Sequence, residues 1–368
     1  MYKFNPENSI TNFSNSILKR FNAPTHHSTI SKVDEILKDK KKVVVFLFDG
    51  MGDYVLKTHL SEDSFLRKHI VHQMDATFPP TTVASTNSFL SGKFPIENGW
   101  IGWSQYFKEL NRNVAVFWNT DDDTDEYLGP TQYIQKYASY KRIDQQINEA
   151  NKKNIAKCMF GYPIDKTDKR VRFLNKFVAR AFASASSKDE SFVYAYWNCP
   201  DSKMHVEGLT SKKVTNNIKK IQKLLRSYAN RYKDVTALVI ADHGLIDVNY
   251  QIIDEHPDLA NLLKRNPSLE ARTVNFFVKD GKKDEFEQLF KKYYGKDFEL
   301  YSKEEVVINE MFGKGTPHRH FDEFVGDYVA VSVSKASLIM HDDPYKLKAH
   351  HAGGTKEEFL IDVILLND

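Results

Sequence analysis

KKVVVFLFDGMGD (41–53) decides the fold. Two lysines lead into the unbroken apolar run Val43 to Phe48, which stops on Asp49-Gly50. A strand with one wet face alternates apolar and polar side chains. A short continuous apolar run bounded by a turn signal reads instead as a strand covered on both faces, with polar groups at its carboxyl edge. The same shape returns as SFVYAYWNCPDS (191–202) and DVTALVIADHGL (234–245). Between them, KKVTNNIKKIQKLLRSYANRY (212–232) carries apolar residues at helical spacing with lysines between. Buried strands alternating with amphipathic helices predict an α/β protein, whose ligands bind beyond the carboxyl ends of the strands.

The rest of the chain fits around that frame. Residues 1 to 40 read as short helices and loops. From 254 to 313 the pattern changes to strand (RTVNFFVKDG), helix (KDEFEQLFKKYYG), short strand (DFELYS) and helix (KEEVVINEMFG). This predicts a small α+β subdomain, 254–313, inserted into a core built from 1–253 and 314–368. GDYVAVSVS (326–334) is expected to return the chain to the core as a strand.

Bulk properties exclude several classes. The chain has 368 residues, 41% hydrophobic and 27% charged, as in ordinary globular proteins. A net charge of +3 gives no electrostatic case for nucleic acid or a membrane surface. No apolar run is long enough for a membrane span, and the amino terminus has no apolar leader core. Cys158 and Cys199 have no metal-motif spacing. A cytoplasmic protein with a small-molecule partner is expected; the oligomeric state is not legible.

Acids and histidines gather at the strand ends. Asp49 follows the first strand, Asp201 and His205 the second, Asp242 and His243 the third, and His350 and His351 precede a Gly-Gly turn. Oxygen and imidazole donors without thiolate suit zinc or manganese in a hydrolytic site. FPPTTVASTNSFLSG (78–92) adds a small-residue helix with Thr81 and Thr82 at its mouth. A hydroxyl there faces unpaired backbone N–H groups, so it serves as a cap or as an alkoxide nucleophile.

In this order FDGMG, FPPTTVASTNSFLSGKFP, PDSKMHVEG, ADHG and HAGGTKEE resemble the alkaline phosphatase superfamily, in its type I phosphodiesterase and nucleotide pyrophosphatase branch. The resemblance implies a three-layer α/β/α sandwich around a mostly parallel sheet and two divalent ions, zinc or manganese. Asp49, Asp242 and His243 would hold one ion, beside the nucleophile; Asp201, His205 and His351 would hold the other. His351 is preferred to His350 because the family motif begins there. Counting back from Gly92 by the family's spacing selects Thr82 as nucleophile and metal ligand, over Thr81 and over Thr77 in ATFPP. The expected reaction is cleavage of phosphodiester or pyrophosphate bonds through a phosphothreonine, with net retention at phosphorus.

The sequence also departs from that family. In ENGWIGWSQYF (97–107), Asn98 replaces the usual histidine, and Trp103 falls where a phosphate-binding asparagine is expected. Trp103 is therefore a substrate-binding candidate, by N–H donation or stacking. His318 and Arg319, in GKGTPHRHFDEFVGDY, are candidates for a substrate phosphate. The acidic run TDDDTDE (120–126) lacks the glycine and terminal glutamate of a calcium loop and reads as solvated. A phosphomonoesterase on the same core and a silent metal-binding module remain alternatives. Neither cysteine has the context a sulfatase needs.

Overall fold

The structure, a computed structural model, describes residues 1–161 and 172–367. Its centre is a six-stranded sheet in the order Ile70–Asp75, Leu360–Leu365, Thr236–Ile240, Lys42–Phe48, Ser191–Trp197, Ala156–Phe160. The last four strands run parallel; Leu360–Leu365 is antiparallel to both its neighbours. All three sequence-predicted strands are central, and Val43 to Phe48 are fully buried. Their lack of alternation has a visible cause. On one face Phe46 meets Phe182 of helix Leu174–Ser186, with ring centroids 5.3 Å apart. On the other face Tyr194 meets Phe89 of helix Thr82–Ser91 at 4.8 Å. Helices on both faces make this an α/β sandwich with a mostly parallel sheet.

A second, seven-stranded antiparallel sheet runs Phe298–Ser302, Tyr328–Ser332, Thr273–Phe276, Ser268–Leu269, Ser104–Phe107, Arg112–Ala115, Thr120–Asp121. It draws on both sides of the segment 254–313. Residues 326–334, expected in the core, contribute Tyr328–Ser332 to this sheet instead. The reason is burial. Tyr328 and Ala330 pack with Phe286 and Phe290 of helix Lys283–Tyr294, while Val329 and Val331 pack with Phe107 and Phe324. A strand covered on both faces has the same apolar signature in either sheet. No helix among the described residues is long and apolar enough to cross a membrane.

A buried carboxyl without a cation partner lies inside the central sheet. Asp362 is 2% exposed, accepts from Gln73 Nε2 (3.2 Å), and its Oδ2 has no hydrogen-bond partner among the described residues. Burial, then the charge of Asp53, pushes this carboxyl up to about 7. The folded state keeps the proton longer than the unfolded chain does. Its ionisation penalty is therefore absent at low pH, grows above the ordinary carboxylate range, and is complete above about 7. Asp362→Asn is expected to raise unfolding free energy near pH 8 by on the order of 1–2 kcal/mol and to leave it unchanged near pH 4. Denaturant titrations at both pH values check this, and an equal effect at the two refutes it.

Candidate active site

Asp49 is the first residue past its strand, and Gly50 turns the chain at φ +69°. A Cβ on Gly50 would fall 2.9 Å from Asp201 Cβ and 2.7 Å from Leu245 Cδ1. Only glycine lets the segments bearing these ligands approach so closely, with the Asp201 N–H donating to the Asp49 carbonyl at 3.0 Å. Asp201 opens helix Asp201–Glu207, so His205 lies one turn on and shares its face. Asp242 Oδ1 accepts from the N–H groups of Gly50 (3.0 Å) and His243 (3.1 Å), which closes the loop after the third strand.

Ligand atoms of Asp49, Asp242 and His243 form one group within 4.8 Å of one another, and those of Asp201, His205 and His351 form another. The rings of His243 and His351 lie 3.9 Å apart, so the two groups adjoin. His350 lies outside both. Burial pushes its pKa down to about 3, and its Nδ1 accepts the His351 N–H at 2.9 Å. The tautomers suit coordination. His243 Nδ1 faces the Gly244 carbonyl (3.0 Å) and His205 Nδ1 the Ala349 carbonyl (2.8 Å). A carbonyl only accepts, so each Nδ1 carries the proton and each Nε2 lone pair points into the site.

The donors fit divalent ions. Asp201 Oδ1, Asp242 Oδ2 and His351 Nδ1 are buried without a hydrogen-bond partner among the described residues. Such atoms are costly unless something binds them. The charges are also crowded. Burial, then Asp201, raises the Asp49 pKa, and burial, then Asp49, raises that of Asp242 well above the carboxylate range. Burial opposes a charged His243, but Asp242 and Asp49 outweigh it and push it up to about 10. Likewise Asp201 overrides burial at His205 and pushes it up to about 9. Buried carboxylates that draw protons so strongly are the environment a dication relieves.

Thr82 is the first residue of helix Thr82–Ser91. Its Oγ1 lies 3.0 Å from His243 Nε2 and 3.3 Å from Asp49 Oδ1. Thr81, at the cap position, makes no cap bond; its hydroxyl donates to Glu270 Oε1 at 2.6 Å. Thr77 is fully buried, against Ser85 Oγ at 3.0 Å, and faces no ligand. These groups open into a cleft of about 1340 Å³ lined by Thr82, Trp103, Tyr196, Glu270 and the second metal group, among others.

Other sequence expectations resolve locally. Trp103 lines the cleft, while Trp100 is buried and donates from Nε1 to the Ala138 carbonyl (2.8 Å). Asn98 bonds the Trp100 N–H (2.8 Å) and the Lys93 carbonyl (3.0 Å), so it shapes the turn after the helix. His318 and Arg319 do not reach the cleft. The His318 N–H donates to the Ile96 carbonyl (2.7 Å), its ring stacks on Phe324, and Arg319 is exposed. That loop is tied to the 94–99 turn, and neither residue lines the cleft. The acidic run is solvent-facing from Asp122 to Glu126, and Asp122, Asp123 and Asp125 edge the cleft.

Sequence reading missed Tyr196, whose hydroxyl donates to Asp49 Oδ2. Its signal was its place one residue before the end of strand Ser191–Trp197, at the ligand edge. It also missed Glu270, which takes both the Thr81 hydroxyl and the Trp103 N–H (3.0 Å) on Oε1. Nothing in the surrounding PSLEARTV marks that residue.

A family model for type I phosphodiesterase / nucleotide pyrophosphatase matches residues 43–355. No curated protein sequence matches the chain. Among solved structures, murine ectonucleotide pyrophosphatase / phosphodiesterase 5 is similar, with a TM-score of 0.64 at 18% identity over 88% of this chain and 87% of that one. An inactive threonine-to-alanine form of that protein, in complex with AMP, gives 0.65 at the same identity and coverage. The human counterpart gives 0.61 at 15% identity, again over 88% and 87%. At these identities the likeness establishes the fold.

Proposed function

Because the chain belongs to the type I phosphodiesterase / nucleotide pyrophosphatase family, we propose that it hydrolyses small-molecule phosphodiesters or pyrophosphates through a phosphothreonine on Thr82. The observation that carries this reading is the position of the Thr82 hydroxyl. It stands at a helix amino terminus, within 3.3 Å of donors from two residues of one metal group, and opens into the cleft. Asp49, Asp242 and His243 would hold the ion next to Thr82, and Asp201, His205 and His351 the other. Their oxygen and imidazole chemistry favours zinc, with manganese second. Two such ions supply Lewis acidity that lowers a hydroxyl pKa and offsets phosphoryl charge.

The chain's own residues do the rest. Thr82 Oγ1 forms a bond to phosphorus as the P–O bond to the leaving group breaks on the opposite side. First-turn N–H groups of the helix face the phosphoryl oxygens. Tyr196 holds Asp49 in place through its hydroxyl. The Thr81–Glu270 bond fixes the segment that enters the helix, so the nucleophile is presented without a search. Water then attacks the phosphothreonine from the vacated side and frees Thr82.

Two in-line displacements give net retention. Hydrolysis of a chiral aryl phosphorothioate diester in isotopically labelled water by the zinc-loaded protein is expected to retain configuration at phosphorus. Inversion would mean direct attack by water and would remove the covalent step.

A further inference from the structure

The charge of this chain is not spread evenly. Helix Lys212–Arg231 buries Val214, Ile218, Ile221, Leu225 and Ala229 against the core. Its outer positions hold seven Lys and Arg and no Asp or Glu, a segregation that the net charge of +3 conceals. Of the seven, only Lys213 has an ion partner among the described residues, Glu207 at 2.6 Å. Lys219 and Lys223 stand four apart, and Lys220, Lys223 and Arg226 three apart, so like charges adjoin along the helix and weaken it. Lys212 and Lys213 add to this by standing at the positive end of the helix dipole.

Beside the carboxyl half of that helix lies a groove of about 490 Å³, and none of its residues lines the catalytic cleft. Lys223, Arg226, Ser227 and Asn230 form one side and share a helix face. Asp63, Ser64 and Phe65 form the other. Gln222 Oε1 accepts the Leu66 N–H at 3.0 Å and holds the two sides together. The Arg226 guanidinium stands 5.7 Å over the Phe65 ring, so its planar fork is kept at the groove.

The donors of this groove are not used within the protein. Lys223 and Arg226 have no acid partner among the described residues. Ser64 makes no cap bond, and its Oγ is buried without a hydrogen-bond partner there. Gln222 and Asn230 are engaged only through their amide oxygens, which leaves both amide nitrogens to donate. The one acid, Asp63, is neutralised by Lys68 at 2.8 Å. Buried donors without acceptors are destabilising. Two cations, hydroxyls and amide N–H groups around one small space suit a tetrahedral dianion, which accepts from several directions at once.

We propose that this groove is a phosphate-monoester site, separate from the metal groups and independent of the hydrolase reading. Its ligand is a compact phosphate monoester, free in solution or carried as a lipid headgroup.

Glycerol phosphate titrated calorimetrically into the zinc-loaded full chain, at low ionic strength, tests the site. Wild type is expected to bind one molecule more than Lys223→Gln/Arg226→Gln, since any bound at the metal groups is common to both. Ser64→Ala should keep the groove site but weaken it roughly tenfold, a loss that a patch of surface charge would not show. Turnover of an aryl phosphodiester should be the same in all three. Vesicle flotation separates the two sources. Wild type floating with phosphatidic acid in preference to phosphatidylglycerol at equal surface charge, with the double variant left behind, assigns the site to a lipid headgroup. The calorimetric site without flotation assigns it to a free monoester. Equal stoichiometry in wild type and the double variant overturns the proposal. Unchanged affinity in Ser64→Ala, or equal flotation on the two lipids, would reduce the groove to surface charge and overturn it as well.

Discussion

Thr82→Ala is expected to cut turnover of an aryl phosphodiester by roughly a thousandfold or more, the scale on which losing a covalent nucleophile is felt. Elemental analysis of the same variant should still find both divalent ions. The two outcomes are separable because Thr82 does not hold the ligands in place. Asp49 is fixed by Tyr196, Asp242 by the N–H groups of Gly50 and His243, and His205 and His243 by backbone carbonyls. The helix should survive as well. Alanine is a good helix former, and the Thr82 hydroxyl is the first residue's, not a cap. Thr82→Ser should return part of the rate, since it restores the oxygen. Retained turnover in Thr82→Ala with metals bound would move the nucleophile to water and leave Thr82 as a neighbour of the metal group.

Five of the six candidate ligand residues were legible because of a rule of parallel sheets, and His351 through its place at the head of HAGGTKEE. Each strand was an unbroken apolar run, so the first polar residues past it had to lie at one edge, and three such edges converge in a sheet. Asp49, Asp201 and Asp242 needed no knowledge of the fold beyond that. Which sheet a strand joins was not legible. Tyr328–Ser332 is buried on both faces like a core strand, and only its partners Thr273–Phe276 and Phe298–Ser302 identify it. Nor was the cleft wall. Phe117 and Trp118 come from a hairpin turn and Glu270 follows a two-residue strand far away in sequence, and pairing across the second sheet brings them together. His318 and Arg319 show the reverse error. A cluster of basic side chains looks like a phosphate site, but one backbone bond at Ile96 anchors it elsewhere.

The second sheet matters to the metal groups through one buried pair, and Glu358→Gln should expose this. Arg272, next to strand Thr273–Phe276, is fully buried and makes two bonds to Glu358, from Nε to Oε1 (2.7 Å) and from an Nη to Oε2 (2.9 Å). Its remaining donors reach the Ala336 and Ser334 carbonyls. Glu358 is equally buried and also accepts the Gly353 N–H (2.7 Å) and the Thr355 hydroxyl (2.7 Å). Its own carbonyl accepts the Gly244 N–H at 2.9 Å. One residue thus fastens the turn two residues past His351 and the loop one residue past His243. Removing its charge leaves a guanidinium buried without a counter-ion, which costs about 3–5 kcal/mol. Unfolding free energy should fall by that amount. Zinc affinity of the folded variant should fall roughly 10–100-fold, as when groups that orient metal ligands are lost. Replacing both partners, Arg272→Met with Glu358→Met, should recover much of the stability, because no charge is then buried alone, but not the metal affinity, because the Gly353 and Thr355 bonds stay lost. Recovery of both would make the pair a matter of packing alone. Stability unchanged in Glu358→Gln would mean that Arg272 is neutralised by some other group, and the sheet would then not be fastened to the metal site through this residue.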